Sequence, residues 1–281
     1  MINSFKEKYP NEDISEIENI YKEKLEILRI EEEKRVKEEV NKTNTSKTNT
    51  SKNNNEVQQN QEDISANNSD STTNNDISKS IANTYAAQNS SQIVTVISEG
   101  GSYGELVAWE KVSDGSWREV QRVKARLGAN GLKDASLVYE MDKCTPTGIY
   151  TLTEAFGINE NPGSGLPYRT LDGTEYWIDD VNSDYYNTMQ FGEPNGRWNS
   201  AEKLIDYPGY YNYSIVIDYN RSPVIKGKSS AIFLHCDIGT YTYGCVAIPQ
   251  NNLVNILKWL ETSKNPVIIL DFSYEDIYSK Y

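Results

Sequence analysis

Ala231-Ile-Phe-Leu-His-Cys-Asp-Ile-Gly-Thr-Tyr-Thr-Tyr-Gly-Cys-Val-Ala-Ile-Pro249 holds His235, the only histidine of the 281-residue chain, and two of its three cysteines. Residues 231–235 are apolar up to the histidine and read as a buried strand end. Residues 245–248 read as a second strand entered through a turn at Gly244. Side chains alternate along a strand, so Cys236 should face away from any site that His235 lines. Cys245, across the connecting loop, is free to face it. A cysteine attacks as its thiolate, and a neighbouring imidazole is the usual device for making one near neutral pH. The stretch therefore predicts Cys245 as nucleophile and His235 as its base. Gly244 removes side-chain bulk where backbone N–H groups would approach a developing oxyanion.

Two other readings of these residues compete with that one. Cysteine and a lone histidine are both common core residues, which leaves a non-catalytic module open. Metal binding is disfavoured, because His235, Cys236 and Cys245 lack the paired spacing of a closed zinc site, and no cofactor is expected. The group orienting the imidazole is either a carboxylate, for which Asp237 is the candidate, or a backbone carbonyl that leaves no mark in sequence.

Outward from this stretch, short apolar and β-branched runs recur at Gln92–Ile97, Leu106–Glu110, Trp117–Val123, Ile149–Thr153, Tyr213–Asp218 and Val267–Phe272. Asp114-Gly115 marks a hairpin turn between the second and third. One helix is predicted over Asn251–Ser263, where Leu253, Ile256, Leu257 and Leu260 fall on one face. The fold class is mainly β, an antiparallel sandwich-like domain with an attached helix. Before the His-Cys stretch lies an aromatic-rich segment that includes Tyr176, Trp177, Tyr185, Tyr186, Trp198, Tyr207, Tyr210 and Tyr211. Such residues line grooves for sugar or peptide chains, with Asp179, Asp180 and Asn187 suited to ammonium or amide groups; ordinary packing is the competing role. Cys144, in a turn beside Pro146, is expected to be a small buried residue.

Thr242-Tyr243-Gly244-Cys245-Val246, following the strand that ends in His235, resembles the His…Ser/Thr-x-Gly-Cys signature of the YkuD-type L,D-transpeptidases. Thr145-Pro146-Thr147-Gly148-Ile149-Tyr150 resembles the Thr-Pro-x-Gly-x-aromatic segment of the same family, and Ala155-Phe156-Gly157 follows it. Further similarity runs through Trp177-Ile178-Asp179-Asp180 and Tyr185-Tyr186-Asn187, and is greatest for the subgroup with a short loop between histidine and cysteine. The resemblance implies a β-sandwich-like catalytic domain that cross-links peptidoglycan stem peptides through a Cys245 thioester, releasing D-Ala from tetrapeptide stems. It implies substrate contacts at Tyr186, Asn187, Asp180, Thr242 and Tyr243. Water in place of the acceptor amine would make the chain an L,D-carboxypeptidase of the same fold. Cys236, Tyr243 and Ala247 stand where many members carry Gly, a second His, and Arg or Asn. That substitution leaves the choice between amine and water open.

The apolar fraction is 37% and the net charge −13, with no basic tract or zinc-finger spacing, so nucleic acid is not an expected partner. Residues 1–42 carry a charged helix over Asp13–Val40, whose interrupted apolar stripe reads equally as a short coiled coil open to self-association, or a stalk near a membrane, and as a solvated, marginal helix. Residues 43–91 are dominated by Asn, Ser and Thr and read as a disordered linker, which leaves 92–281 as the catalytic domain. No stretch has the roughly 20 apolar residues of a membrane span, and Met1–Tyr9 lacks the apolar core of a secretory signal. The resemblance nevertheless implies the cell wall or the outer face of the membrane.

Overall fold

The computed structural model describes residues 77–281 apart from Lys79. The helix expected over Asp13–Val40, its self-association and most of the 43–91 linker lie outside the described residues. Fifteen strands follow one another among the described residues. The first eight are β1 (Gln92–Gly100), β2 (Tyr103–Lys111), β3 (Trp117–Arg126), β4 (Leu132–Lys133), β5 (Thr145–Pro146), β6 (Gly148–Thr151), β7 (Ala155–Gly157) and β8 (Tyr168–Thr170). The rest are β9 (Glu175–Ile178), β10 (Met189–Phe191), β11 (Ala201–Lys203), β12 (Ser214–Val216), β13 (Phe233–Cys236), β14 (Val246–Ile248) and β15 (Val267–Asp271). Helices α1 (Ala86–Asn89), α2 (Gln250–Trp259) and α3 (Tyr274–Lys280) are among the helices of the described residues.

The main sheet has ten strands in the order β6-β15-β1-β2-β3-β14-β13-β12-β7-β8. Its long meander β1–β2–β3 is antiparallel, as the turn at Asp114-Gly115 predicts, and Asp114 Oδ1 accepts the Ser116 N–H at 2.8 Å inside that turn. The sheet is mixed, however: β1 with β15, β7 with β8 and β13 with β14 run parallel. A second sheet, β10-β9-β11, packs Trp177 edge-on against Phe233 of the main sheet, with ring centroids 4.8 Å apart. Phe156 and Tyr211 join the same aromatic cluster. The opposite face of β13 and β14 packs Leu234, Cys236, Val246 and Ile248 under α2 in the main apolar core.

Two boundaries differ from expectation. The folded body begins within the predicted linker: Ile81, Ala86 and Ala87 are buried with Ile93, Trp109, Trp117 and Ile269. A few apolar residues in an Asn/Ser/Thr-rich background suffice there, because the sheet supplies the surface they cover. Helix α2 ends at Trp259 rather than Ser263. Leu260 turns extended and fully buried, and Glu261 N–H donates to Gln92 Oε1 at 2.8 Å.

Candidate active site

Strands β13 and β14 set the two side chains expected to react. Leu234 lies opposite Val246 and His235 opposite Ala247, so Cys245, one residue before β14, enters level with Phe233. Phe233, His235 and Cys245 therefore share the aromatic face, and Cys236 points into the opposite core, as alternation predicts. Parallel strands cannot be joined by a tight hairpin. The chain instead crosses over residues 237–245, tied midway where Thr242 N–H donates to Leu127 O and Ala129 N–H donates to Thr242 O, each at 2.9 Å.

The turn before the cysteine is built on Thr242. Its hydroxyl donates to Cys245 O at 2.7 Å and accepts Gly244 N–H at 3.2 Å, and Thr145 Oγ1 donates to the same carbonyl at 3.3 Å. Gly244 has φ +140°, and a Cβ there would sit 2.9 Å from Ile232 Cδ1 and 3.1 Å from Cys144 O. Only glycine fits. Its N–H, expected to face an oxyanion, is bonded to Thr242 in the resting structure.

His235 Nδ1 lies 2.9 Å from Cys236 O. With Nδ1–H donating to that carbonyl, Nε2 carries the lone pair and is the basic atom. The orienting group is thus a backbone carbonyl. Asp237, the carboxylate candidate, instead accepts Gly239 N–H at 2.7 Å. Burial pushes the imidazole down to about 4, so it is neutral. Cys245 Sγ–H donates to Ala231 O at 3.1 Å, and the sulfur accepts Phe233 N–H at 3.4 Å. Burial, and then the nearby charge of Glu202, push the thiol up to about 12. The expected low-pKa thiolate is therefore not the resting state. Both partners are neutral because the aromatic cluster excludes the water that would stabilise an ion pair.

Cys245 and His235 open onto one cavity of about 360 Å³ between the main sheet and the loops around the smaller one. Tyr210 and Tyr211 set their rings edge-on to the imidazole, with centroids 5.9 and 5.7 Å away. A buried thiol, a neutral imidazole and a cavity meeting both are groups of the kind an acyl-transfer site uses. A profile of the YkuD family, the L,D-transpeptidase catalytic domain, matches residues 87–269.

The chain belongs to this family. No curated protein matches it. Among solved structures, the helical cell shape determining protein Pgp2 from Campylobacter jejuni is similar at 16% identity with a TM-score of 0.35. That match covers 68% of this chain and 53% of the other, so it spans about half the length of Pgp2.

The residues for which the family resemblance implied substrate contact fall into two groups. Thr242 and Tyr243 line the cavity. Tyr243 is exposed, stacked on Tyr241 at 6.3 Å, with Lys143 Nζ 4.4 Å from its ring centre. Tyr186, Asn187 and Asp180 stand behind the wall. Tyr186 is buried with its hydroxyl on Glu140 Oε2. Asp180 accepts Asn199 N–H at 2.8 Å and Asn182 N–H at 2.9 Å, bonds that hold its carboxyl below the ordinary carboxylate range. Asn187 uses both ends of its amide internally. Its Oδ1 accepts Trp177 Nε1–H and Ala231 N–H, and its Nδ2 donates to Tyr219 O and Asn220 O. Cys144 is buried, outside the cavity lining, and burial pushes its thiol up.

Sequence reading passed over Glu140 and Glu202, which line the cavity with Asp179. Glu202 sits on β11 opposite Trp177 of β9, and residues paired in this way point to the same side, here inward. A three-residue strand is too short for its alternation to announce that.

Proposed function

We propose that this chain is a peptidoglycan L,D-transpeptidase working through a Cys245 acyl-enzyme at the cell wall. The carrying observation is the parallel pairing of β13 with β14, which puts Cys245 and His235 on one face at one cavity, with Nδ1 of the imidazole held by Cys236 O. Family membership supports the reaction class.

Because thiol and imidazole are both neutral at rest, proton transfer belongs to the attack itself. The thiol proton leaves Ala231 O for His235 Nε2 as the sulfur bonds to the carbonyl carbon of the third stem residue. The tetrahedral oxyanion needs backbone N–H groups, and Gly244 serves once its bond to Thr242 Oγ1 is released. Collapse breaks the C–N bond, and the departing D-Ala amine takes the proton from His235. An amine of a second stem then attacks the thioester and gives its proton to His235, which passes it to the expelled sulfur, leaving a cross-link and the free thiol.

The test is incubation of the intact protein and its Cys245→Ala variant with purified disaccharide-tetrapeptides, with mass spectrometry of protein and products. A thioester adduct on the wild type and cross-linked dimers are expected, both absent from the variant. Adducts with shortened monomers alone would make water the acceptor and the chain a carboxypeptidase. Identical behaviour of the two proteins would sink the catalytic reading.

A further inference from the structure

Ser214 is fully buried on β12, and its Oγ has no hydrogen-bond partner among the described residues. An orphaned buried hydroxyl is costly, and such a group in a native structure calls for a reason, a catalytic role among them. The strand register supplies its neighbour. Ser214 lies directly opposite His235 across the antiparallel pair of β12 and β13, so both side chains stand on the aromatic face of the sheet. Val216 N–H donates to Glu154 O at 2.9 Å, on the β7 side, and Ile217 N–H donates to Ile232 O at 3.1 Å, on the β13 side. Backbone groups alternate sides along a strand, so those of Ser214 point towards β7. Ser214 and His235 are therefore a non-hydrogen-bonded pair, the kind in which Cα atoms approach to about 4.5 Å and side chains come closest.

The other neighbours offer the hydroxyl no partner. Phe156 lies opposite Ser214 on β7, and Val216 is the next residue on the same face of β12. Tyr211 sets its ring edge-on to both Phe156 and His235, which flank Ser214, and its own hydroxyl donates to Glu202 Oε2 at 2.6 Å. Asn212, two residues back, accepts Gly209 N–H and donates to Gln250 Oε1. The imidazole is the polar side chain left facing Ser214. At rest it is neutral, with one N–H, and it spends that N–H on Cys236 O, so it has no donor to spare for the serine oxygen. Among the described residues no carboxylate hydrogen-bonds to the ring. Asp237 acts on it through charge, Tyr210 and Tyr211 present ring edges, and Cys245, Glu140, Asp179 and Glu202 line the same cavity.

We propose that Ser214 is a positioning residue for acyl transfer: its hydroxyl rotates to present oxygen to the His235 ring as the imidazolium forms, and stabilises that charge until the proton passes to the departing amine. The reaction served is that of the transpeptidase reading, on which this role rests. Once Nε2 holds the thiol proton, the ring is positive in surroundings from which the aromatic cluster excludes water, where a single oriented oxygen counts for more than it would in solvent. Because the hydroxyl makes no bond at rest, its interaction is gained on the way to the charged state and is absent from the ground state. That difference speeds a step, whereas an interaction made equally in both would not.

Ser214→Ala in the intact protein separates this role from packing. An orphaned hydroxyl contributes no bond to the fold, so the variant should unfold at the same urea concentration as wild type or at a higher one. The ring signals of the only histidine need no assignment in a nuclear magnetic resonance spectrum, and in the wild type they should titrate near 4. In Ser214→Ala the midpoint should fall by about one unit, and thioester formation with disaccharide-tetrapeptides should slow about tenfold or more. Alkylation of Cys245 by iodoacetamide, which needs no imidazolium, should stay within about twofold of wild type. An unmoved midpoint, or adducts that form at equal rates in the two proteins, would overturn the role. A loss of urea stability, failure to fold included, would also overturn it by assigning the hydroxyl to packing. The midpoint needs no substrate: its fall in the variant with no adduct on the wild type rejects the transpeptidase alone, and adducts on both proteins with an unmoved midpoint reject the role of Ser214 alone.

Discussion

Asn187 Oδ1 accepts the N–H of Ala231 at 3.1 Å, and Ala231 O is the acceptor that holds the Cys245 thiol. The asparagine therefore acts on the Cys245 thiol through one residue, Ala231, and is not among the residues that line the cavity. Both residues have left-handed backbones, with φ 57° at Asn187 and φ 54° at Ala231. Asparagine tolerates that conformation better than other side chains with a Cβ. Replacing Asn187 by Ala strips partners from the Trp177 indole, the Ala231 N–H and the carbonyls of Tyr219 and Asn220. Urea unfolding should show a loss of about 2–4 kcal/mol. A variant of unchanged stability that merely binds stem peptide more weakly would restore the contact role.

Gly244→Ala should be more damaging than its size suggests. The new methyl group meets Ile232 Cδ1 and, less forgivingly, the backbone oxygen of Cys144, in a conformation that L-residues avoid. Relief of that clash has to come from the turn that carries Cys245. A stability loss of about 2 kcal/mol or more, together with loss of thioester formation, is the expected outcome. Ser or Ala accepted at this position with full activity would show that the turn is not tightly set.

Strands, hairpin and the face assignment of Cys236 were legible because alternation is a local property. The parallel pairing of β13 and β14 was not, since residues 236–244 read equally well as a hairpin loop and as a crossover. Relative strand direction rests on the clasp between Thr242 and Leu127–Ala129, more than a hundred residues apart in sequence. The group orienting His235 is a main-chain carbonyl, invisible in any side-chain pattern. Asn187 and Asp180 were polar residues in an aromatic segment, and only their partners tell a groove contact from an internal brace. Glu202 was hidden by the brevity of β11, and its burial depends on Trp177 across the smaller sheet.

The resting thiol sets a reactivity expectation opposite to that of a preformed thiolate. With the Cys245 pKa at about 12 and its proton on Ala231 O, alkylation by iodoacetamide at neutral pH should be about tenfold or more slower than that of free cysteine. His235→Ala should leave this slow rate within about twofold, because the imidazole does not hold the proton at rest, yet should abolish acyl transfer. Peptide mapping by mass spectrometry separates Cys245 from Cys144 and Cys236. Fast alkylation that His235→Ala suppresses would establish the ion pair instead.

Glu202 gives the protein a pH dependence of stability with a definite sign. Burial raises its carboxyl from 4.5 to about 7, so between those values the folded state binds the proton that the unfolded state has lost. Its contribution is fully present below pH 4.5 and disappears as pH rises through 7. His235 acts in the opposite sense: its pKa falls from 6.5 to about 4, so its contribution is present above pH 6.5 and is lost as pH falls towards 4. The two overlap and partly cancel in the wild type, and substitution is needed to separate them. Glu202→Gln keeps an acceptor for the Tyr211 hydroxyl and removes the buried charge. Relative to wild type it should gain roughly 1–3 kcal/mol at pH 8 and little at pH 4.5, measured by urea unfolding. A difference between the two proteins that stays constant from pH 4.5 to 8 would mean that Glu202 titrates as an ordinary carboxylate.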